Sequence, residues 1–380
     1  MRTCRHPSPV SWIGSALIAV ALAGCAAGSP SSSPSPQSAG EGRGVTSGST
    51  TSSASASSVG SESTTPSASA APSGSASSLF VMSGQRLMLE RLDGTDARAA
   101  APKIEQASTG RLIYGDWSPD GTQLLFTEIP EPPATAPPRN SMWIVEVETG
   151  RTVRHIACAS ECHGLAFGAW SPDGKRIAYS VLGRDPRSGT PTGFSIAVID
   201  LATGSRRTVL EADDRVQVAF PRWSPDGSQL VLQSARYREG ASSPNDLVRS
   251  TVVVISSDGS KDQTPTEISK GLNAAKPDWG WRNNQIVFST NDPDYPSSTS
   301  AVTALFTVAP DGTGLREVKS FPEPQVALTP SWSPRGPMVF THCAIVGACY
   351  AAQIDADGSN LQTPQKADGA WPRERPTASR

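Results

Sequence analysis

The chain has 380 residues, of which 18% are charged, and its formal net charge is −2 at pH 7. This balance gives no support to nucleic-acid binding, because such proteins concentrate Lys and Arg on one surface. Once the N-terminal segments described next are set aside, about 300 residues remain, which suits one large domain.

The first 24 residues have the features of an export signal. Arg2 and Arg5 form its positive region, and the apolar stretch 13–22 is too short for a permanent membrane-spanning helix. The sequence from Leu22 to Cys25 resembles the cleavage box of bacterial lipoproteins. The resemblance implies that Cys25 becomes the first mature residue and carries diacylglycerol, which with N-acylation (palmitate) anchors the protein to the outer face of the cell membrane. An ordinary secretory signal that contains a cysteine is the alternative.

The following segment is predicted to be a disordered linker. Residues 26–78 are mostly Ser, Pro, Gly, Ala and Thr, a composition that cannot bury a core. A coil of about 50 residues would span about 40 Å and hold a folded head away from the membrane. The predicted organisation is therefore a signal peptide (1–24), lipidated Cys25 with its linker (25–78), a folded domain (79–372) and a tail (373–380).

The folded domain contains a repeat. Trp-Ser-Pro-Asp-Gly begins at Trp117, Trp170 and Trp223, and degenerate copies begin at Trp279 and Trp332, so that consecutive tryptophans lie 53, 53, 56 and 53 residues apart. A fixed period of this length predicts stacked supersecondary units. In each copy a tight turn precedes an apolar run of strand length, which predicts a hairpin. We interpret the tryptophans as wedges between neighbouring sheets, with ligand stacking as the alternative.

A second set of turns raises the number of units to six. Turns ending in glycine follow strand-like runs at Gly94, Gly150, Gly204, Gly259, Gly312 and Gly358. Trp371 is taken as the sixth repeated tryptophan, and the chain from Leu79 onward supplies the rest of its unit. We therefore predict an all-β ring of six sheets that is closed by pairing of N- and C-terminal strands.

This repeat resembles the WD40-like repeat of TolB-type six-bladed β-propellers, over residues 79–372. The resemblance implies protein–protein interaction in the cell envelope, with a partner peptide at the channel mouth. TolB-type proteins also carry an N-terminal α/β domain, and in this sequence the predicted linker takes that place.

Four cysteines fall in the predicted propeller, in two close pairs: Cys158 with Cys162, and Cys343 with Cys349. Export favours disulfide formation, so we predict a local disulfide in each pair. The adjacent His163 and His342 leave a metal site as the alternative, although neither spacing matches a paired-cysteine zinc motif.

Antiparallel order separates the connections onto two faces. We label the strands of each unit A (ending at the tryptophan), B, C and D. The "turn face" carries the short A–B and C–D turns, and the "loop face" carries the long B–C and D–A connections, where binding usually resides. The candidate binding residues on the loop face combine charge with aromatic surface: Arg236, Tyr237, Arg238, Asp292, Asp294 and Tyr295.

The sequence contains no Gly-x-Ser-x-Gly elbow, phosphate-binding glycine loop or His-Glu-x-x-His motif. We therefore predict a monomeric binding or scaffold head without a cofactor or metal, whose partner is an envelope protein or cell-wall polymer. An enzyme acting on a sugar or lactone in the central channel is the alternative.

Overall fold

A computed structural model describes residues 79–83, 86–107, 110–130, 139–158, 162–184, 191–211, 213, 215–239, 246–260, 264–290, 303–322, 324–344, 349–363 and 370–376. The predicted signal peptide, the lipidation site Cys25 and the predicted linker lie outside these residues. Within them, no helix is long and apolar enough to cross a lipid bilayer.

The described residues are mostly in β-strands, with a short helix α1 (Pro102–Ala107). The strands, in chain order, are β1 (Leu79–Ser83), β2 (Leu87–Arg91), β3 (Arg98–Ala99), β4 (Arg111–Trp117), β5 (Gln123–Ile129), β6 (Ser141–Glu146), β7 (Thr152–Ile156), β8 (Cys162–Trp170), β9 (Arg176–Arg184), β10 (Pro191–Asp200), β11 (Arg206–Leu210), β12 (Val216–Trp223), β13 (Gln229–Tyr237), β14 (Leu247–Ser256), β15 (Thr266–Glu267), β16 (Ala274–Trp279), β17 (Ile286–Thr290), β18 (Thr303–Val308), β19 (Arg316–Phe321), β20 (Gln325–Trp332), β21 (Met338–Ala344), β22 (Cys349–Ile354) and β23 (Ala370–Glu374).

These strands form six antiparallel sheets, the blades of a ring. Blade 1 has the order β23-β1-β2-β3, blades 2 to 5 take four consecutive strands each from β4 to β19, and blade 6 contains β20, β21 and β22. The chain is closed by β23 pairing with β1, with Phe80 opposite Glu374 and Val81 opposite Arg373. The predicted six-bladed all-β propeller, closed by its two ends, is confirmed.

The Ser-Pro-Asp-Gly turns fold as their sequence predicts, as the copy after Trp223 shows. The Gly227 N–H donates to the Ser224 carbonyl at 3.0 Å, and Gly227 has a φ of +71°, a conformation that glycine adopts without steric cost. Ser224 Oγ donates to Asp226 Oδ1 at 2.6 Å. Hydrogen bonds from Ser224 and Ser228 lower the pKa of Asp226 to about 2. The Asp226 carboxylate therefore stabilises the turn.

The repeated tryptophans fill five of the six seams between blades. Each is buried in an apolar cluster formed by its own blade and the preceding one: Trp117, Trp170, Trp223, Trp279 and Trp332. The seam between blades 6 and 1 differs, because its buried apolar cluster has only the four residues Phe80, Leu92, Val339 and Ala351. The interpretation of the five tryptophans as wedges is consistent with this packing.

The assignment of Trp371 as the sixth repeated tryptophan is wrong. Every A strand contains a β-bulge with a residue of positive φ three positions before the tryptophan, and Trp371 occupies this bulge position in β23. Glu374 therefore stands where the other A strands have tryptophan. The Ala-Trp-Pro sequence was misleading because Pro372 corresponds to Pro221 and Pro330, which precede their tryptophans, and not to the proline of the following turn.

Both predicted disulfides are present. Cys343 and Cys349 lie opposite each other in the β21–β22 pairing and form one bond. The Cys158–Cys162 bond joins the segment after β7 of blade 2 to the start of β8 of blade 3.

Candidate binding site at the channel mouth

The six bulge residues have φ values between +53° and +62° and occupy equivalent positions on the A strands: Tyr114, Phe167, Phe220, Lys276, Thr329 and Trp371. Four of them are aromatic and come from four different blades. The ring centroids of Phe167 and Phe220 are 4.0 Å apart, and those of Tyr114 and Trp371 are 4.6 Å apart. All four belong to one buried cluster. We call this cluster of four rings from four blades the aromatic plug.

Lys276 completes the plug from blade 5. Its Nζ lies 5.1 Å from the ring centroid of Trp371, and the residue is 8% exposed, an arrangement that allows a cation–π interaction. Burial lowers the pKa of the Lys276 ammonium to about 8. Among the described residues no carboxylate forms an ion pair with Lys276.

A charged layer lies beside the plug, toward the turn face. It is formed by the residues immediately before the five tryptophans and before Glu374: Asp116, Ala169, Arg222, Asp278, Ser331 and Arg373. Asp278 Oδ1 lies 2.6 Å from Arg373 Nη1 and 3.4 Å from Arg222 Nε. Two guanidinium groups, from blades 1 and 4, thus converge on one carboxylate oxygen of blade 5.

Two other carboxylate oxygens of this layer accept hydrogen bonds from backbone N–H groups of the repeated tryptophans. Asp278 Oδ2 accepts a hydrogen bond from the Trp332 N–H at 2.7 Å, and Asp116 Oδ2 accepts one from the Trp170 N–H at 3.0 Å. Each acid therefore ties its own blade to the next.

Arg222 is the most perturbed group of the layer. Burial, and then the charge of Arg373, lower the pKa of its guanidinium to about 10, while Asp116 and Asp278 oppose the change. Arg222 remains charged at neutral pH. The Arg222 and Asp278 side chains are 12% and 7% exposed, so water screens their charges poorly.

A cavity opens from this layer to the turn face. Its volume, measured for the centres of water-sized molecules, is about 120 Å³. Its walls are the inner edges of the repeated tryptophans and the A–B turns of blades 5 and 6, including Gly280 and Ser333. At its rim stands Trp281, which is 42% exposed. The cavity thus combines a charged floor with an aromatic rim.

Glu374 makes one side of this cavity polar. Ser333 Oγ donates to Glu374 Oε2, and Arg335 Nη2 lies 2.5 Å from Glu374 Oε1. On the other side of β23, Trp117 Nε1 donates to the Arg373 carbonyl at 3.0 Å. Polar contacts at the mouth therefore join β23 to both of its neighbouring blades.

Comparisons with known proteins bear on the fold. No protein-family model matches the sequence, and a comparison with curated proteins finds no match. TolB from Acinetobacter baumannii superposes with a TM-score of 0.54 at 14% identity, over 80% of this chain and 67% of that one. The putative TolB from Agrobacterium tumefaciens gives 0.51 at 15% identity, over 78% and 97%. The fold is that of a TolB-like six-bladed β-propeller. Hydrazine synthase from Kuenenia stuttgartiensis contains a similar fold, with a TM-score of 0.55 at 11% identity over 80% and 47%.

The candidate site of this TolB-like propeller does not include the predicted binding residues that the structure describes. Arg236 and Arg238 are exposed at the end of β13, but Tyr237 is buried against Ala235 and Leu247 and does not offer the aromatic surface that we expected. None of the three lines the central cavity. The other candidates, Asp292, Asp294 and Tyr295, lie outside the described residues, as do parts of the loop-face connections.

The sequence did carry a signal for the cavity. The position before the repeated tryptophan is charged in three of the five copies, at Asp116, Arg222 and Asp278. A metal centre has no comparable support, since the described residues contain no group of three His, Cys, Asp or Glu side chains that could hold an ion. The disulfides also occupy all four cysteines of the alternative metal site.

Proposed function

We propose that this propeller is a binding module at the outer face of the cell membrane, and that its channel mouth on the turn face receives a segment of another envelope protein. The observation that carries the proposal is the cavity on the propeller axis, with Arg222, Asp278 and Arg373 at its floor and Trp281 at its rim. Tryptophan and arginine at the centre of a recess are the residue types that dominate binding energy at protein interfaces.

The surroundings of the cavity support binding with little rearrangement. Its walls are hydrogen-bonded turns and A strands, and Asp278 is fixed by the Trp332 N–H. Such preorganised walls lose little conformational entropy when a partner binds. Because aromatic rings from four blades pack together behind the charged layer, we expect a bound segment to enter and leave by the turn face.

We favour binding over catalysis, because the acids of the mouth are engaged with guanidinium or backbone N–H groups. Asp278 contacts Arg373 and Trp332, and Asp116 contacts Trp170. A protein segment is preferred to a cell-wall polymer because tryptophan and arginine line the recess, and these residues are enriched where binding energy is concentrated at protein interfaces.

Affinity capture of the tagged full-length protein, after cross-linking in intact cells, tests the proposal. Wild type should retain one stoichiometric protein partner, and Trp281→Ala should reduce its capture at least tenfold, since a hot-spot tryptophan contributes about 2 kcal/mol or more. Val248→Ala, at an apolar residue that is 56% exposed elsewhere, is the matched control. Equal capture by both variants would exclude the mouth as the binding site.

The membrane anchor is the second part of the proposal and rests on the sequence around Cys25. Cys25→Ala should block lipidation and move the protein from the detergent phase of a membrane extract to the aqueous phase. Partitioning equal to that of wild type would contradict the lipoprotein assignment.

A further inference from the structure

We infer that the channel mouth is a carboxylate-binding site, in which Arg222 and Arg373 together hold one carboxylate of the bound molecule. This inference rests on the proposed function only for the identity of the bound molecule, a segment of a protein. Its carboxylate is either the C-terminus of that protein or the side chain of an Asp or Glu.

The cavity floor has a surplus of hydrogen-bond donors. Each guanidinium has five N–H groups and no acceptor. Arg373 Nη1 donates to Asp278, and Arg222 Nη1 donates to the Pro221 carbonyl at 3.0 Å. Arg222 Nε pairs with Asp278 Oδ1 at 3.4 Å, whereas Nη2 of Arg222 and Nη2 of Arg373 have no hydrogen-bond acceptor among the described residues. These Nη2 groups are not among the fully buried unpaired atoms, so an oxygen of a bound molecule can reach them and accept their hydrogen bonds.

The resident acid, Asp278, offers the two arginines a single oxygen. Asp278 Oδ2 is engaged by the Trp332 N–H, so only Oδ1 remains for two guanidinium groups. Their mutual repulsion is visible in the pKa of Arg222, which the charge of Arg373 lowers. A carboxylate of a bound molecule would lie between the positive charges of Arg222 and Arg373, which water screens poorly at this site.

The shape and charge of the two guanidinium groups favour one kind of anion. A guanidinium is planar and pairs with a planar carboxylate through two parallel hydrogen bonds. Asp116 and Asp278 already balance the formal charges of Arg222 and Arg373, so a single negative charge is tolerated better than the double charge of a phosphate. The cavity volume of about 120 Å³ leaves room for one terminal residue or one acidic side chain.

The test uses the fluorescence of the tryptophans that line the cavity, with the full-length protein and three small probes. N-acetylalanine represents a C-terminal carboxylate, the α-methylamide of N-acetylaspartate represents a side-chain carboxylate, and N-acetylalaninamide is the uncharged control. At least one acid should bind saturably and at least ten times more tightly than the amide, and the tighter acid identifies the source of the carboxylate. Equal binding of the acids and the amide would overturn the inference, and so would tighter binding of inorganic phosphate.

Variants locate the probe. Arg222→Gln and Arg373→Gln should each weaken binding of the acid at least tenfold and leave binding of the amide unchanged. Arg236→Gln, at an exposed arginine that does not line the cavity, is the matched control and should retain tight binding. Unchanged binding in both floor variants would overturn the inference. If these variants fail to fold, the comparison of acids with amide on wild type still decides the question.

The outcome can be separated from that of the proposed function. If the acids fail to bind while Trp281→Ala still abolishes capture of the partner, the mouth binds a protein by other chemistry. If the acids bind while capture is unaffected by Trp281→Ala, the carboxylate site stands and the proposed interaction with a protein at the mouth fails.

Discussion

The bulge residue of each A strand decides what the channel contains. Positive φ is unfavourable for residues other than glycine, yet all six positions have it. The bulge turns the side chain toward the axis, where Phe167, Phe220 and Trp371 contact one another. Lys276 and Thr329 are the two bulge residues that are not aromatic, and Lys276 brings an amine to the apolar plug.

Lys276→Met should therefore stabilise the protein at neutral pH. The pKa of Lys276 falls from 10.5 to about 8 on folding, so folding disfavours the charged form. At pH 7 the variant should gain up to about 3 kcal/mol in free energy of unfolding, the equivalent of this change in pKa. The unfolded chain binds more protons between about pH 8 and 10.5, so the stability of wild type rises relative to the variant across this window.

Urea unfolding at pH 7 and pH 10 measures this difference. The advantage of Lys276→Met should be largest at pH 7 and should shrink at pH 10. Lys175→Met, at an exposed lysine, should show no such dependence. A gain that does not change with pH would mean that the variant acts through packing and not through the charge.

At the residue scale, the sequence predicts which residues repeat better than it predicts which side chains face the axis. The tryptophans of the repeat were identified correctly in five seams, because each precedes a recognisable turn. Trp371 and Glu374 were not assigned correctly, since a bulge inserts a residue and changes which side chains face the axis. A period-two pattern cannot be carried across such a bulge, and the charged layer of Arg222 and Arg373 was missed for the same reason.

At the scale of elements, the hairpins follow from local chemistry. The Ser-Pro-Asp-Gly turns and the Cys343–Cys349 pair are determined by residues close in sequence, and both were predicted. The division of blade 1 between the two ends of the chain was predicted as well. The first unit of the repeat lacks its A strand, and the last unit consists of an A strand alone. The register between strands that are distant in sequence, such as the pairing of Val81 with Arg373, has no comparable signal in the local sequence.

Each disulfide should stabilise the fold by constraining the unfolded chain. Loops as short as those closed by Cys158–Cys162 and Cys343–Cys349 contribute about 2 kcal/mol each. Replacing either pair by serine should therefore lower the free energy of unfolding by this amount in denaturant titrations. Reduced wild type should lose about as much as the two changes combined, and a wild type that is insensitive to reduction would contradict the contribution of both bonds.

At the scale of the whole molecule, closure depends on one short strand. β23 supplies the A strand of blade 1, places Trp371 in the aromatic plug and Arg373 in the charged layer, and contacts blade 6 through Glu374. Deleting residues 366–380 should lower the melting temperature sharply and promote aggregation, because two sheet edges become exposed.

Single substitutions separate closure from a general effect of truncation. Trp371→Ala removes a buried aromatic side chain and should cost about 3–5 kcal/mol. Trp281→Ala, at a residue that is 42% exposed, should cost about 0.5 kcal/mol or less. A melting curve unchanged by the deletion would contradict closure of the ring by its two ends.

We propose the turn face as the binding face, whereas loop length alone pointed to the opposite face. Site-specific photo-cross-linking in intact cells tests this directly, with p-benzoylphenylalanine placed at position 282, next to Trp281 on the turn face, or at position 236 on the loop face. We expect one discrete cross-linked protein from position 282 and none from position 236. A discrete product from position 236 alone would contradict the proposal.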